Sequence, residues 1–136
     1  MEEKNYENIG EAIVNGKNLS VSLKYAVALC NFIKRKKIDD AISDLEKVLR
    51  FKKAVPMKGE IAHKKGIMSG RYPIKGSKIF IRLLKNLKSN ALFKGLEIEK
   101  CVIVAKADKA PRPYKRFGEG RMKRCHVTIK LIAKKK

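Results

Sequence analysis

The stretch Lys109–Arg124 reads KAPRPYKRFGEGRMKR and separates two runs in which apolar residues alternate with polar ones. The run before it is LEIEKCVIVAKA (Leu96–Ala107), and the run after it is CHVTIKLIA (Cys125–Ala133). Alternation with a period of two is typical of β-strands, whereas proline and glycine interrupt strands and helices alike. The sequence therefore predicts a long β-hairpin whose end is cationic.

The end of this predicted hairpin combines a dense positive charge with two aromatic side chains, and its only acid is Glu119. Lys and Arg bind phosphates, and aromatic rings stack on unpaired bases. A solvated charged loop is the alternative, but such density between two strands favours RNA binding. The candidate residues here are Lys109, Arg112, Tyr114, Lys115, Arg116, Phe117, Arg121, Lys123 and Arg124.

The composition of the whole chain points to the same kind of partner. Its 136 residues suit one domain, and 34 Lys and Arg against 13 Asp and Glu give a formal charge of +21. So many positive charges repel one another in a compact protein. A bound polyanion would relieve this repulsion, and binding would also be favoured by the counterions that each neutralised phosphate releases. Nucleic acid is the first candidate, and an anionic membrane surface is the second.

Several other classes of protein are disfavoured. No apolar run is long enough to span a membrane, and the polar start MEEKNYENIG does not resemble a signal peptide. Cys30, Cys101 and Cys125 are widely spaced, which predicts reduced thiols in a cytosolic protein and neither a metal site nor a cofactor. Motifs typical of enzymes, such as GxSxG and HExxH, do not occur in the sequence.

Upstream of the hairpin the sequence predicts one extended segment and two helices. Ile9–Val21 is extended, with a turn or bulge around Asn15 and Gly16. A helix over Leu23–Arg35 follows, with Ser22 as its N-cap, and a second helix covers Asp39–Phe51. The second helix carries four acids, so we expect it to face away from any nucleic acid: they are Asp39, Asp40, Asp44 and Glu46.

A long basic loop, Ala54–Tyr72, precedes the third helix, Ile74–Phe93, which Gly95 is expected to end. The outer face of that helix carries a polar stripe, for which an exposed helix face is the alternative to RNA contact. The two asparagines of the stripe are equally suited to satisfying backbone groups. Together with the end of the loop, the predicted RNA contacts here are Arg71, Tyr72, Lys75, Lys78, Arg82, Lys85, Asn86 and Asn90.

The predicted hairpin is too long to fold inside its own domain. A compact chain of this length has a radius of gyration of about 14 Å, whereas an extended arm from Leu96 to Tyr114 spans roughly 60 Å. The composition changes near Lys106, from apolar alternation to cations and prolines. We therefore expect a globular body over about 8–106 and 125–134, from which the basic tip, about 107–124, projects.

Three segments of the chain resemble a known family, the L-twenty-two family of large-subunit ribosomal proteins, called L-seventeen in eukaryotes. They are NLSVSLKYAVALCNFI (Asn18–Ile33), GRYPIKGSKIFIRLLKNLKSNALFKGLEIEKCVIV (Gly70–Val104) and KAPRPYKRFGEGR followed by CHVTIKL. The Gly70–Pro73 segment resembles the archaeal and eukaryotic branch. The resemblance implies an α+β fold, in which a three-stranded antiparallel sheet packs against three helices and an extended hairpin projects.

The resemblance also implies a function. The chain would be a cytoplasmic, monomeric constituent of the large ribosomal subunit, next to other ribosomal proteins. It would bind large-subunit rRNA, support assembly, and line the exit tunnel with its hairpin tip, where the nascent peptide passes. The alternatives are a free-standing nucleic-acid-binding regulator or chromatin-like protein and, less favoured, a peripheral membrane binder. The acidic second helix argues against a regulator with a helix-turn-helix.

Overall fold

The computed structural model describes residues 11–57, 70–118 and 120–133. Three helices and five strands form in this part of the chain, together with short 3-10 turns at Ile98–Lys100 and Arg116–Gly118. In chain order the elements are β1 (Glu11–Leu19), α1 (Leu23–Ile33), α2 (Ile38–Leu49), β2 (Val55–Pro56), β3 (Gly70–Arg71), α3 (Ile74–Phe93), β4 (Cys101–Lys109) and β5 (Cys125–Ala133).

The main sheet has three antiparallel strands in the order β1-β5-β4. The ladder between β4 and β5 begins at Cys101↔Ala133 and ends at Lys109↔Cys125. The β1 ladder carries a bulge between Gly16 and Leu19, where Asn18 adopts a φ of 54°. The irregularity expected in the first strand is therefore present, slightly further along than Asn15.

One face of the central strand β5 lies in the core, as its alternation predicts. Cys125, Val127, Ile129 and Leu131 are buried, whereas Lys130 is exposed. They join a cluster of buried side chains from the helices, the largest being Phe80, Leu29, Ile33, Ile38, Leu45, Leu84 and Leu87. Helices on one face of an antiparallel sheet confirm the predicted α+β class.

The helix α3 has the predicted bounds, and one of its faces is buried. Pro73 occupies its N-cap position, and Gly95 follows its C-terminus with a φ of 75°. That left-handed conformation is cheap for glycine, so the helix stops where the sequence predicts it to stop. Ser22 lies at the N-cap of α1 as expected, but its side chain makes no capping hydrogen bond.

The first two helices end earlier than predicted, because the chain makes other hydrogen bonds there. Beyond α1, Arg35 adopts a φ of 64° and its N–H donates to the carbonyl oxygen of Ile103, at 2.9 Å. The Ile103 N–H donates in turn to Lys36, at 3.1 Å, and ties this corner to β4. The prediction that the second helix reaches Phe51 is also wrong, since Phe51 has a φ of 59° beyond the helix end.

The segment predicted as one long basic loop is partly a second, two-stranded sheet. Val55 pairs with Arg71 and Pro56 with Gly70. The sequence prediction missed both strands because each has only two residues, too few to show any alternation. The pairing brings together the ends of the loop, while residues 58–69, including the cations predicted there, lie outside the described residues.

Pairing between β4 and β5 continues through Ala107 and Asp108 to Lys109, residues that we expected in the basic tip. At the other end, β4 begins at Cys101 and not at Leu96, because the turn Ile98–Lys100 precedes it. The paired arm is thus shorter than the 60 Å estimate assumed. Residues 110–124 connect the two strands and are called the basic connection below.

Candidate nucleic-acid interface

The basic connection is exposed and yet internally hydrogen-bonded. Residues 111–118 and 120–123 are exposed. The Met122 N–H donates to Pro113, at 2.7 Å, and the Lys115 N–H donates to Gly120, at 2.8 Å. An isolated bridge between Tyr114 and Arg121 lies between these bonds. The connection therefore has a folded-back shape of its own, although its side chains face solvent.

Two of its arginines are engaged with the connection itself. Arg112 donates through Nε to the carbonyl oxygen of Met122, at 3.2 Å, and through Nη2 to that of Arg121, at 3.4 Å. Arg121 donates to the Tyr114 hydroxyl, at 2.8 Å, and its guanidinium carbon lies 4.7 Å from the centre of that ring. These side chains hold the two arms of the connection together while they contribute positive charge.

The remaining cations make fewer internal bonds. Arg124 donates to the Lys123 carbonyl oxygen, at 2.9 Å, and contacts the sulfur of Met122, at 3.7 Å. Within the described residues, the side chains of Lys109, Lys115, Arg116 and Lys123 make no hydrogen bond or ion pair. They are available to an external anion without breaking an existing contact.

Phe117 marks the turn of the connection and is 97% exposed. Its φ of 55° and ψ of 37° place it in the left-handed region, which a bulky side chain rarely occupies. No packing within the described part of the chain compensates for this exposure. An aromatic ring presented in this way suits stacking on a base.

A groove of about 600 Å³ brings together a second set of predicted residues. Arg71, Tyr72 and Lys75 line it from β3 and the start of α3, and Lys123 reaches it from the basic connection. Tyr25 of α1 and Phe51 form the aromatic part of its wall. We call this feature the aromatic groove. A smaller groove next to it, lined by Lys109, Arg112, Lys123 and Arg124, meets the start of α1.

Side-chain contacts fix the walls of the aromatic groove. The rings of Phe51 and Tyr72 meet edge to face, with centres 5.2 Å apart and planes inclined by 65°. Arg71 donates to the Tyr25 hydroxyl at the long distance of 3.4 Å. The first turn of α3 sits close to α1, because a Cβ on Gly76 would lie only 2.8 Å from the Cδ1 of Leu29.

The predicted stripe on α3 is exposed along its length. Lys75, which lines the groove, lies on the same helical face as the stripe, since 3.6 residues complete a turn. The stripe therefore extends the cationic surface away from the groove by about 20 Å. Its exposed members are Lys78, Arg82, Lys85, Asn86 and Asn90. Asn90 also donates to the carbonyl oxygen of Ile13, at 3.4 Å, as expected for an asparagine that satisfies backbone.

Sequence reasoning missed two residues of this surface, Tyr25 and Phe51. The sequence pattern places Tyr25 within the first predicted helix and Phe51 at the end of the second, and it indicates no binding role for either. Phe51 is 64% exposed, which a core helix residue would not be. The cations that follow it, Lys52 and Lys53, were the available signal, because an aromatic next to basic residues is typical of surfaces that bind nucleic acid.

Two of the four acids of α2, Asp44 and Asp39, form ion pairs within the protein. Asp44 accepts hydrogen bonds from Lys36, at 2.6 Å, and Lys53, at 3.1 Å. Burial alone would raise the pKa of Asp44, but these two ammonium groups outweigh it and hold the pKa below its usual value. Asp39 pairs with Lys88 of α3, at 2.9 Å. The Asp44 carboxylate is largely covered and the Asp39 carboxylate is exposed, and both ion pairs reduce the negative charge that α2 presents.

The three cysteines are free thiols in the core, and the sequence predicts reduced thiols. Burial, and then the neighbouring Cys125, raises the pKa of Cys30 to about 12. Burial also raises the pKa of Cys101 and of Cys125. Thiols of this kind are protonated at neutral pH and poor metal ligands. Among the described residues, His, Cys, Asp and Glu side chains nowhere gather in a group that could hold a metal ion.

None of the described helices is both long and apolar enough to cross a membrane.

Comparison with known proteins gives a consistent result. Large ribosomal subunit protein uL22 of Archaeoglobus fulgidus is 42% identical over 101 residues, which cover 69% of this chain and 65% of that protein. The uL22 proteins of Ignicoccus hospitalis and Methanoregula boonei are 38% and 34% identical over 85% and 79% of this chain, and 77% and 76% of their own lengths. The family model described as Ribosomal protein L22p/L17e matches residues 14–132. With the fold and the cationic surface as described, the chain belongs to the ribosomal protein L22p/L17e family.

Proposed function

We propose that this chain binds large-subunit rRNA through one continuous cationic surface and supports the folding of that RNA during assembly. The surface consists of the basic connection, the aromatic groove and the α3 stripe. Its family is one of structural, non-enzymatic constituents of the large ribosomal subunit, so the protein works in the cytoplasm, within the ribosome. The proposal concerns what the chain does there.

The observation that carries the proposal is Lys123, an exposed cation of the basic connection that also lines the aromatic groove. Because Lys123 lines this groove, the basic connection lies next to the start of α3, although the two are far apart in sequence. Surfaces that share a cation in this way are suited to following one RNA backbone. Lys75 continues the surface into the α3 stripe.

The mechanism is charge neutralisation followed by recognition of shape. Each Lys or Arg that meets a phosphate releases a counterion, which drives binding at low salt. The folded-back basic connection and the α3 stripe present their cations at fixed separations, and RNA that matches those separations binds best. Exposed Tyr114 and Phe117 stack on unpaired bases.

We further propose that the basic connection projects into folded rRNA and forms part of the wall of the nascent-peptide tunnel. Its folded-back backbone and exposed side chains support this, because such an arm buries little against its own domain and depends on a surrounding partner. Neighbouring ribosomal proteins and the nascent peptide are the other expected partners, and the chain is expected to be a single domain present in one copy.

Cosedimentation tests the proposal. Large subunits purified from the cells that make this protein should retain it after a high-salt wash, together with their rRNA. A variant in which residues 110–124 are replaced by a short turn should bind the subunits more weakly. If the intact protein is recovered only in the soluble fraction, the proposal is wrong. Crosslinking from Tyr114 and Arg116 within intact ribosomes identifies the RNA that they touch.

A further inference from the structure

The aromatic groove is built from segments that are distant in the chain. Residues 20–22 follow β1, Tyr25 lies on α1, Phe51 follows α2, residues 70–76 span β3 and the start of α3, and Lys123 belongs to the basic connection. Its volume of about 600 Å³ lies within the range of sites for small molecules. A surface that merely follows a phosphate backbone does not need a concave aromatic site of this size.

The groove has two chemically different parts. Tyr25, Phe51 and Tyr72 supply aromatic surface, while Arg71, Lys75 and Lys123 supply positive charge. The edge of one ring meets the other in the Phe51–Tyr72 pair, and Phe51 nevertheless remains 64% exposed. The pair is therefore braced by its own contact and still offers a ring to a ligand.

Phe51 is held in this place by its backbone. Its φ of 59° is unusual for a bulky residue, and its N–H donates to Val48, at 3.1 Å, as the chain leaves α2. Such a conformation costs free energy, so the surrounding structure must impose it. The ring of Phe51 therefore lies in the wall of the groove, beyond the end of α2.

We propose that the aromatic groove holds one RNA nucleotide that has left its helical stack, with the base against Phe51 and Tyr72 and the phosphates near Lys75 and Lys123. Charge complementarity selects this occupant, since the groove combines three cations with its aromatic wall and none of the lining residues that the structure describes is acidic. Bases have π-faces that stack on such rings, and splayed-out bases are the usual targets of sequence-specific RNA recognition.

This inference rests on the proposed RNA binding and adds that the protein distinguishes between RNA ligands. If binding depended on charge neutralisation alone, RNA helices of the same length would bind with the same affinity. The groove makes the protein prefer a helix with an unpaired nucleotide, because only a nucleotide outside the stack can enter it.

Two fluorescent RNA hairpins test the proposal with the full-length chain. They have the same stem, and one of them carries a single unpaired adenosine within it. At fixed salt we expect the protein to bind the hairpin with the unpaired adenosine about tenfold more tightly, the size of one base–aromatic stack. Replacing that adenosine by 4-thiouridine should give a photo-crosslink to a peptide that contains Phe51 or Tyr72.

Variants then locate the preference. Phe51→Leu keeps an apolar side chain but removes the ring, and it should abolish the preference because it weakens binding of the hairpin with the unpaired adenosine about tenfold more than binding of the fully paired hairpin. Phe93→Leu is the matched control, because Phe93 is 94% exposed and lies outside the groove. Lys123→Gln removes a phosphate contact and should weaken binding of both hairpins. Circular dichroism checks that each variant is folded.

The outcomes separate this inference from the function on which it rests. If the protein binds both hairpins equally, as it would if the groove accommodated a peptide side chain, RNA binding stands and the nucleotide site is wrong. If it binds neither hairpin, the proposed function fails and the inference fails with it. If Phe51→Leu keeps the preference, or Phe93→Leu loses it, the base stacks elsewhere and the assignment to the groove is overturned.

Discussion

Arg121 and Tyr114 bridge the two arms of the basic connection: the guanidinium lies over the ring, 4.7 Å from its centre, and donates to the hydroxyl at 2.8 Å. Both side chains were expected to contact RNA. In the structure they contact each other, so the same pair organises the arm that we propose to bind RNA. Two backbone hydrogen bonds flank the pair, from Lys115 and from Met122.

Replacing Tyr114 by Ala should therefore loosen the connection without unfolding the protein. An exposed cation–π contact contributes about 0.5–1 kcal/mol, and a hydrogen bond about 1 kcal/mol. We expect the amide hydrogens of Lys115 and Met122 to exchange several-fold faster, whereas that of Val127 in β5 exchanges as before. Tyr114→Phe, which keeps the ring, should show a smaller change. Unchanged exchange in Tyr114→Ala would mean that the pair does not hold the connection.

Removing cations from the basic connection should lower the salt dependence of RNA binding. Lys109, Lys115 and Arg116 are exposed, and changing all three to Gln removes that many possible phosphate contacts. The slope of log K against log salt should then fall by about 2–3. Binding to large-subunit rRNA over a series of salt concentrations measures it. The control changes three exposed lysines near α2, namely Lys34, Lys37 and Lys47, and should leave the slope nearly unchanged.

Replacing Ser77 by Ala should stabilise the protein. Ser77 is fully buried in the first turns of α3, and its hydroxyl has no hydrogen-bond partner among the described residues. A buried unsatisfied hydroxyl costs about 1–3 kcal/mol, so its removal should raise the free energy of unfolding by about 1 kcal/mol. Urea denaturation measures the change. Exposed Ser43→Ala on α2 gives the effect of helix propensity alone, and an equal gain in both variants would show that burial is irrelevant.

The ion pairs of Asp44 should make stability depend on acid pH. The pKa of Asp44 is lower in the folded protein than its ordinary value near 3.9. Its contribution is therefore complete above about pH 4 and is lost as the pH falls through the lower folded pKa. The Asp44→Asn variant should lose about 1 kcal/mol at pH 7, and less under acid conditions, where the native protein also loses the pairs.

Denaturation at a series of pH values measures this difference. Asp40→Asn is the control, since Asp40 is exposed on the same helix, and its effect on stability should be small at every pH. If the difference between Asp44→Asn and the native protein stays constant down to the lowest pH, the two lysines do not stabilise the Asp44 carboxylate.

Much of the fold was predictable because its signals are local. The alternation of Cys125, Val127, Ile129 and Leu131 identified β5, and Gly95 marked the end of α3. The end of α1 was predicted wrongly because a distant backbone group accepts a hydrogen bond there. Arg35 leaves α1 to bond to Ile103, a residue that no local pattern connects with it. The two-residue strands β2 and β3 likewise form only because they pair with each other, at positions far apart in the sequence.

The candidate site divides in the same way. All predicted contacts on the basic connection and the α3 stripe are exposed or half-buried, because charged side chains on a turn or an outer helix face remain in water. The sequence did not predict that Arg112 and Arg121 would bond to the connection itself. Nor did it predict that Phe51 would line the aromatic groove, which its ring reaches only because α2 ends at Leu49.

The sequence by itself determined the helices and the main strands, because periodicity depends on which residues stand near each other in the chain. Its net charge predicts an anionic partner. Only the tertiary structure decided that Tyr25, Phe51, Tyr72 and Lys123 line one groove. The physical reason is that this meeting depends on how the sheet and helices pack. Packing depends on buried side chains from the whole chain. It produces no periodic pattern in the sequence around Tyr25, Phe51, Tyr72 and Lys123.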